Sequence, residues 1–158
     1  MSKLSTIVLL AALMLGSCNR SDIYDLGTIK VKAEGEKVNL KSDLQFMTMA
    51  YRDLYGVDVP PAVLDLMRDA YISFGDKALV IDEIVQALLL SPDLVLMSDQ
   101  VMRADVDAFV QASYAKFFLR NPTVFDSVYW TGQIQAITDL TVQDIYYVFM
   151  TCEEYKYY

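Results

Sequence analysis

The sequence contains no histidine, so the usual general base and the commonest metal ligand at neutral pH are missing together. That absence weighs against most hydrolase and zinc chemistries, although not against enzymes as a class. Cysteine is nearly absent too, with only Cys18 and Cys152 in the chain. Basic residues are outnumbered, 13 Lys and Arg against 21 Asp and Glu, for a net charge of -8. This balance argues against nucleic acid as a partner and against electrostatic adhesion to anionic lipid. No apolar run reaches the length of about 20 residues that a membrane span needs. The closest is Leu4 to Leu15, near the start.

That run has a secretory layout. Lys3 supplies the positive start, the apolar stretch follows, and small residues Gly16 and Ser17 precede Cys18. Leu15-Gly16-Ser17-Cys18 resembles a bacterial lipobox. The resemblance implies that residues 1–17 are a signal peptide removed on export and that Cys18 is acylated to become the mature N-terminus. A buried methylene is worth about 0.8 kcal/mol, so two or three acyl chains hold essentially permanently. Asn19, rather than an aspartate, follows the cysteine, and by the same resemblance points to the outer membrane, with the face left open. With Cys18 acylated, Cys152 has no partner for an internal disulfide.

What remains is roughly 140 residues, enough for one domain with a core. Residues 18–41 are polar and charged, and read as a tether lifting the domain off the membrane. An alternative within them is a short β-hairpin, because Ile29-Lys30-Val31-Lys32 alternates and Glu34-Gly35-Glu36 can turn toward Val38-Asn39-Leu40. From Ser42 the period becomes helical. Ser42 with Gln45 makes a capping box, and the first helix is expected to run to Tyr55 and stop at Gly56. Pro60-Pro61 opens a second, striped by Val63, Met67, Ala70, Tyr71 and Phe74 and ended by Gly75. Val80 to Leu90 is apolar nearly all round and is expected to be buried between neighbours. Ser91-Pro92 closes it and opens a short helical turn through Met97.

The plan then repeats. A helix over Ala104–Leu119 carries Phe109, Tyr114, Phe117 and Phe118, and Asn121-Pro122-Thr123 breaks it. Phe125, Tyr129, Trp130 and Ile134 stripe the next, and Thr141 caps a third with Ile145, Tyr146, Val148 and Phe149. Thr151 with Glu154 spaces as a capping box for a last turn. Tyr51-Arg52-Asp53-Leu54-Tyr55 answers Tyr114-Ala115-Lys116-Phe117-Phe118, Ile84 answers Ile145, and Ser91-Pro92-Asp93-Leu94 answers Cys152-Glu153-Glu154-Tyr155. Such repetition marks units that bury their faces on one another. The expected fold is all-α, two related three-helix units (44–97 and 107–158) packed as one helical domain over 42–158.

Tyr114 to Phe118, Pro122, Trp130-Thr131-Gly132-Gln133-Ile134 and Cys152-Glu153-Glu154-Tyr155 resemble an uncharacterised helical repeat of bacterial exported proteins. That repeat is distantly similar to the phycobilisome linker domain. The first half matches through Tyr51 to Gly56 and Ser91 to Leu94, but lacks the tryptophan and glycine. The resemblance implies no activity; by analogy with linkers it implies protein contacts.

Acid pairs are the only other chemistry in reach. Asp82-Glu83 and Glu153-Glu154 are adjacent, yet neighbours on a helix diverge, and both pairs are expected at helix N-termini where acids meet the macrodipole. Asp105-x-Asp107 lacks the glycine and closing glutamate of a calcium loop, so a helix start is its expected role and no metal site is assigned. Cys152 is expected to be structural, without a base to activate it. No catalytic residue and no cofactor is assigned. The eleven tyrosines suit an interface, as the ring gives contact area and the hydroxyl a polar handle. Tyr155, Tyr157 and Tyr158 are the expected partner contacts. The expected function is a non-enzymatic, lipid-anchored adaptor that holds another envelope protein at the membrane. The alternative is a small-ligand or glycan binder using an aromatic groove at Trp130 and Tyr129.

Overall fold

A computed structural model describes residues 37–158. The lipobox, Cys18 and residues 29–36 of the hairpin alternative lie outside the described residues. Seven α-helices follow: α1 (Asp43–Tyr55), α2 (Pro61–Ser73), α3 (Lys77–Leu89), α4 (Asp99–Ala104), α5 (Val106–Phe118), α6 (Val124–Ala136) and α7 (Val142–Thr151). A 3₁₀ turn, Glu154–Lys156, closes the chain.

Local chemistry explains most of the boundaries. The Ser42 hydroxyl accepts from the Gln45 amide while the Gln45 side chain accepts from the Ser42 amide, the reciprocal box that starts α1. Gly56 ends it in the left-handed region, at φ 71°. Pro61 sits at the first position of α2, where its missing N–H costs nothing. Thr123 with Asp126 and Thr141 with Asp144 form two further boxes, for α6 and α7. α3 lies against α1, α2 and α7, but it is not buried all round as expected: Leu79, Glu83, Ala87 and Leu90 are exposed.

The two three-helix units, α1–α3 and α5–α7, share a rhythm of burial. Asp43 and Pro61 start their helices 63 residues before Val106 and Val124. On α2 the covered positions are Val63, Leu64, Met67, Ala70 and Tyr71; on α6 Asp126, Ser127, Trp130, Gln133 and Ile134 answer them 63 residues later, with Thr131 covered in addition. The pairs Ile84-Val85 and Leu88-Leu89 of α3 match Ile145-Tyr146 and Phe149-Met150 of α7, 61 residues later. Counted this way, α3 carries an extra first turn.

Several expectations are corrected. Residues 91–97 form a turn and then an extended loop rather than a helical turn, with the Leu94 amide donating to the Ser91 carbonyl. The helix expected over Ala104–Leu119 is two helices, because Asp105 leaves helical geometry and its carboxylate accepts from Ala108 to cap α5. The short α4 has its own cap at Ser98. Arg103 of α4 closes the far end of α6, donating to the carbonyls of Ile137, Thr138 and Leu140 at 3.0, 3.0 and 2.7 Å. Thr151 is the last residue of α7, with its hydroxyl on the Tyr147 carbonyl, so it forms no box with Glu154. Glu154 instead pairs with Arg120, which also holds Asp126 at 2.9 Å. Burial alone would raise the Asp126 carboxyl, but hydrogen bonds from Arg120 and Thr123 outweigh it and hold it at about 2. Glu154 and Asp126 together raise the Arg120 guanidinium further. Leu40 bridges Tyr157 at the opposite terminus, and the Tyr158 amide donates to the Asn39 carbonyl at 2.8 Å.

Leu119 is the one non-glycine residue in the left-handed region among the described residues, at φ 54°, and its side chain is 75% exposed. It loses little packing on removal, while left-handed backbone costs an L-residue about 1–2 kcal/mol. After the extra flexibility of unfolded glycine is discounted, Leu119→Gly is expected to stabilise the fold by about 0.5 kcal/mol or more. Urea denaturation checks this, and a destabilised variant contradicts it.

Candidate functional site

An open apolar groove of about 740 Å³ lies in the first unit, walled by α1, α2 and α3. Tyr51 and Tyr55 lie one helical turn apart on α1, and their rings stack at 4.3 Å. The Tyr55 hydroxyl donates to the Leu88 carbonyl at 3.0 Å, which fixes the wall between α1 and α3. Met67 of α2 and Leu88 of α3 form the floor, both nearly buried. Leu66, Phe74 and Leu79 form an exposed rim, at 71%, 60% and 52%. Among the described residues, the charged side chains lining it are Glu83 and Asp93. Sequence periodicity placed Phe74 on the buried stripe of α2, but α2 ends at Ser73 and Phe74 turns outward.

Trp130 and Tyr129 do not make a groove. Trp130 is half-buried, its Nε1–H donates to the Tyr114 hydroxyl at 3.2 Å, and its ring meets Phe149 edge-on at 5.0 Å. The indole is therefore seated in the second unit's own packing. Tyr129 is 48% exposed and stacks with Phe125, 78% exposed, on an exposed aromatic strip. Of the stripe expected on α6, only Ile134 is fully buried.

The terminal tyrosines separate. Tyr155 is fully buried, so it cannot be a partner contact. Its ring packs against Phe46 of α1 and Phe117 of α5 at 5.5 and 6.0 Å, and its hydroxyl donates to Asp53 at 2.7 Å. Burial pushes that phenol well above its ordinary range, helped by the Asp53 carboxylate. Tyr157 and Tyr158 are half-buried along the bridge with residues 39–41. Lys41 is buried as well, its ammonium 3.9 Å from the Tyr155 ring centroid and donating to the Tyr155 carbonyl. Burial, then repulsion from Lys37, lowers Lys41 to about 8. Burial raises Asp53, against the pull of the Tyr155 hydrogen bond and of Lys41.

The remaining candidates have structural roles. Asp82 sits inside α3, because that helix begins at Lys77 with Asp76 as its cap, three residues earlier than Val80. It accepts from the Tyr147 hydroxyl and from Gln86, tying α3 to α7. Cys152 caps α7 with its thiol donating to the Phe149 carbonyl at 3.1 Å, and burial raises the thiol. A raised thiol is a poor nucleophile. Among the described residues no cluster of three acidic or cysteine side chains is placed to hold a metal ion, and no helix is long and apolar enough to cross a membrane. In comparisons with known proteins the chain matches no family model, no curated protein and no solved structure.

Two measurements follow from this geometry. Trp130→Ala removes a half-buried indole and strands the Tyr114 hydroxyl; it is expected to cost about 2–4 kcal/mol in urea denaturation. A cost below about 1 kcal/mol would place the indole on the surface. The second concerns Lys41, whose folded pKa lies below the ordinary lysine value. Between about pH 8 and 10.5 the unfolded chain binds more protons, so stability rises with pH there and the gain is lost as pH falls through 8. The native chain should gain on the order of 2–3 kcal/mol relative to Lys41→Met between about pH 7 and 10. A pH-independent difference contradicts the buried ammonium.

Proposed function

We propose that this chain is a non-enzymatic adaptor, anchored by lipid on Cys18 to the bacterial outer membrane, that holds a partner protein through the α1–α3 groove. The observation that carries the adaptor reading is that groove, an apolar concavity rimmed by exposed Leu66, Phe74 and Leu79 on an otherwise acidic chain. Helix-lined apolar grooves are a recurring way of taking a partner's side chains. The anchor rests on the lipobox alone.

One observation favours a second reading. A volume of about 740 Å³ also falls in the range of small-molecule sites, so an apolar ligand fits the same groove. This moves the ligand alternative away from Trp130, whose N–H is already used.

Fractionation of cells expressing the native chain and Cys18→Ala tests the anchor. The native chain is expected with the outer membrane and labelled by radioactive palmitate, and the variant free of both. An unlabelled native chain refutes the anchor. Mild crosslinking in living cells tests the adaptor: a reproducible envelope protein is expected, and a clean monomer moves the reading to the ligand.

A further inference from the structure

The two units fill the same place differently. In the second, Tyr114 and Phe118 of α5 stand one turn apart with centroids at 5.1 Å, and the indole of Trp130 meets Phe149 edge-on while its N–H reaches the Tyr114 hydroxyl. By the shared rhythm of burial, Tyr51, Tyr55, Met67 and Leu88 hold those four positions in the first unit. All four line the α1–α3 groove. The tyrosine pair is retained and stacked, but the tryptophan is replaced by the slimmer, flexible methionine, and the phenylalanine by leucine. Both replacements remove ring volume from one spot, and an open groove lies there. The Tyr51 hydroxyl corresponds to the Tyr114 hydroxyl that accepts the indole N–H, and it makes no hydrogen bond among the described residues.

Resting on the adaptor reading, we infer that the α1–α3 groove receives a tryptophan side chain from the partner protein, in the place that Trp130 occupies in the second unit. The incoming ring lies over Met67 and Leu88 against the Tyr51–Tyr55 stack, with its N–H on the Tyr51 hydroxyl. Buried aromatic anchors of this kind dominate protein interfaces. Glu83 and Asp93, the charges lining the groove among the described residues, favour lysine or arginine beside the tryptophan. The fully buried Tyr155 is closed to a partner.

The test uses the full detergent-solubilised chain and a short fluorescein-labelled peptide with one tryptophan among leucines and lysines. Two analogues replace the tryptophan by alanine, or the lysines by glutamates. Anisotropy is expected to show roughly tenfold or greater weakening for the alanine analogue. The glutamate analogue is expected to bind more weakly still at low salt. Met67→Trp rebuilds the second unit's arrangement, so it should abolish peptide binding and raise the melting temperature. Leu66→Glu, on a rim side chain 71% exposed, should weaken binding with an unchanged melting temperature. The inference is overturned if the alanine analogue binds equally, or if Leu66→Glu and Met67→Trp both bind like the native chain. Self-association of the chain that Leu66→Glu abolishes would put a second copy in the groove and overturn it also. If Leu66→Glu still yields the crosslinked envelope partner in cells, the groove assignment fails while the adaptor stands. Tight binding of the tryptophan peptide with no crosslinked partner does the reverse.

Discussion

Tyr155 is the contact on which the two units depend. It belongs to the last turn of the chain, yet its ring lies between Phe46 at the front of the first unit and Phe117 in the second. Its hydroxyl reaches Asp53, its carbonyl takes the Lys41 ammonium, and the backbone on either side bridges residues 39–41. A fully buried aromatic of this size stabilises by about 2–3 kcal/mol through area alone. The polar part works differently. Lys41 and Asp53 are both disfavoured as ions by burial, so the network fixes geometry more than it adds stability, and any member lost leaves another unsatisfied. Lys41 is the last residue of the stretch read as a tether, yet residues 39–41 are already paired with the end of the chain.

Around that closure the repeat has diverged in what it fills. The second unit fills its own space: Tyr114, Phe118 and Trp130 all meet Phe149, and Arg120 staples the start of α6 to the last turn. The first unit keeps the backbone plan and the tyrosine pair but lacks the ring that would complete them. Divided labour is the consequence. One unit carries the terminal seal, and the other carries an open apolar groove with exposed leucine and phenylalanine at its rim.

Much of this fold was legible, because its helices announce themselves locally. Ser42 with Gln45, Pro61, Thr123, Thr141 and Gly56 are signals within a few residues, and the structure uses each one. The two-unit repeat was legible from the paired tyrosine motifs. What failed depended on distance in space. A six-residue helix such as α4 is too short to show a period, and Asp105 breaks what reads as one long helix. The terminal tyrosines looked like an exposed run, whereas the burial of Tyr155 depends on rings more than thirty residues upstream. Phe125 and Tyr129 fitted a helical stripe, but among the described residues nothing packs over that face of α6. The groove left a trace that periodicity missed: the first half of the repeat lacks the tryptophan of the second, and a missing ring means room.

The central claim is that both units form one cooperative core closed by Tyr155. Hydrogen exchange on Tyr155→Ala tests it most directly. The account predicts that amides of α1 and α5 lose protection together, since both helices pack on that ring. Protection lost only in the final turn, with α1 and α5 unchanged, would show that the tyrosine seals its own end and that the units hold together without it.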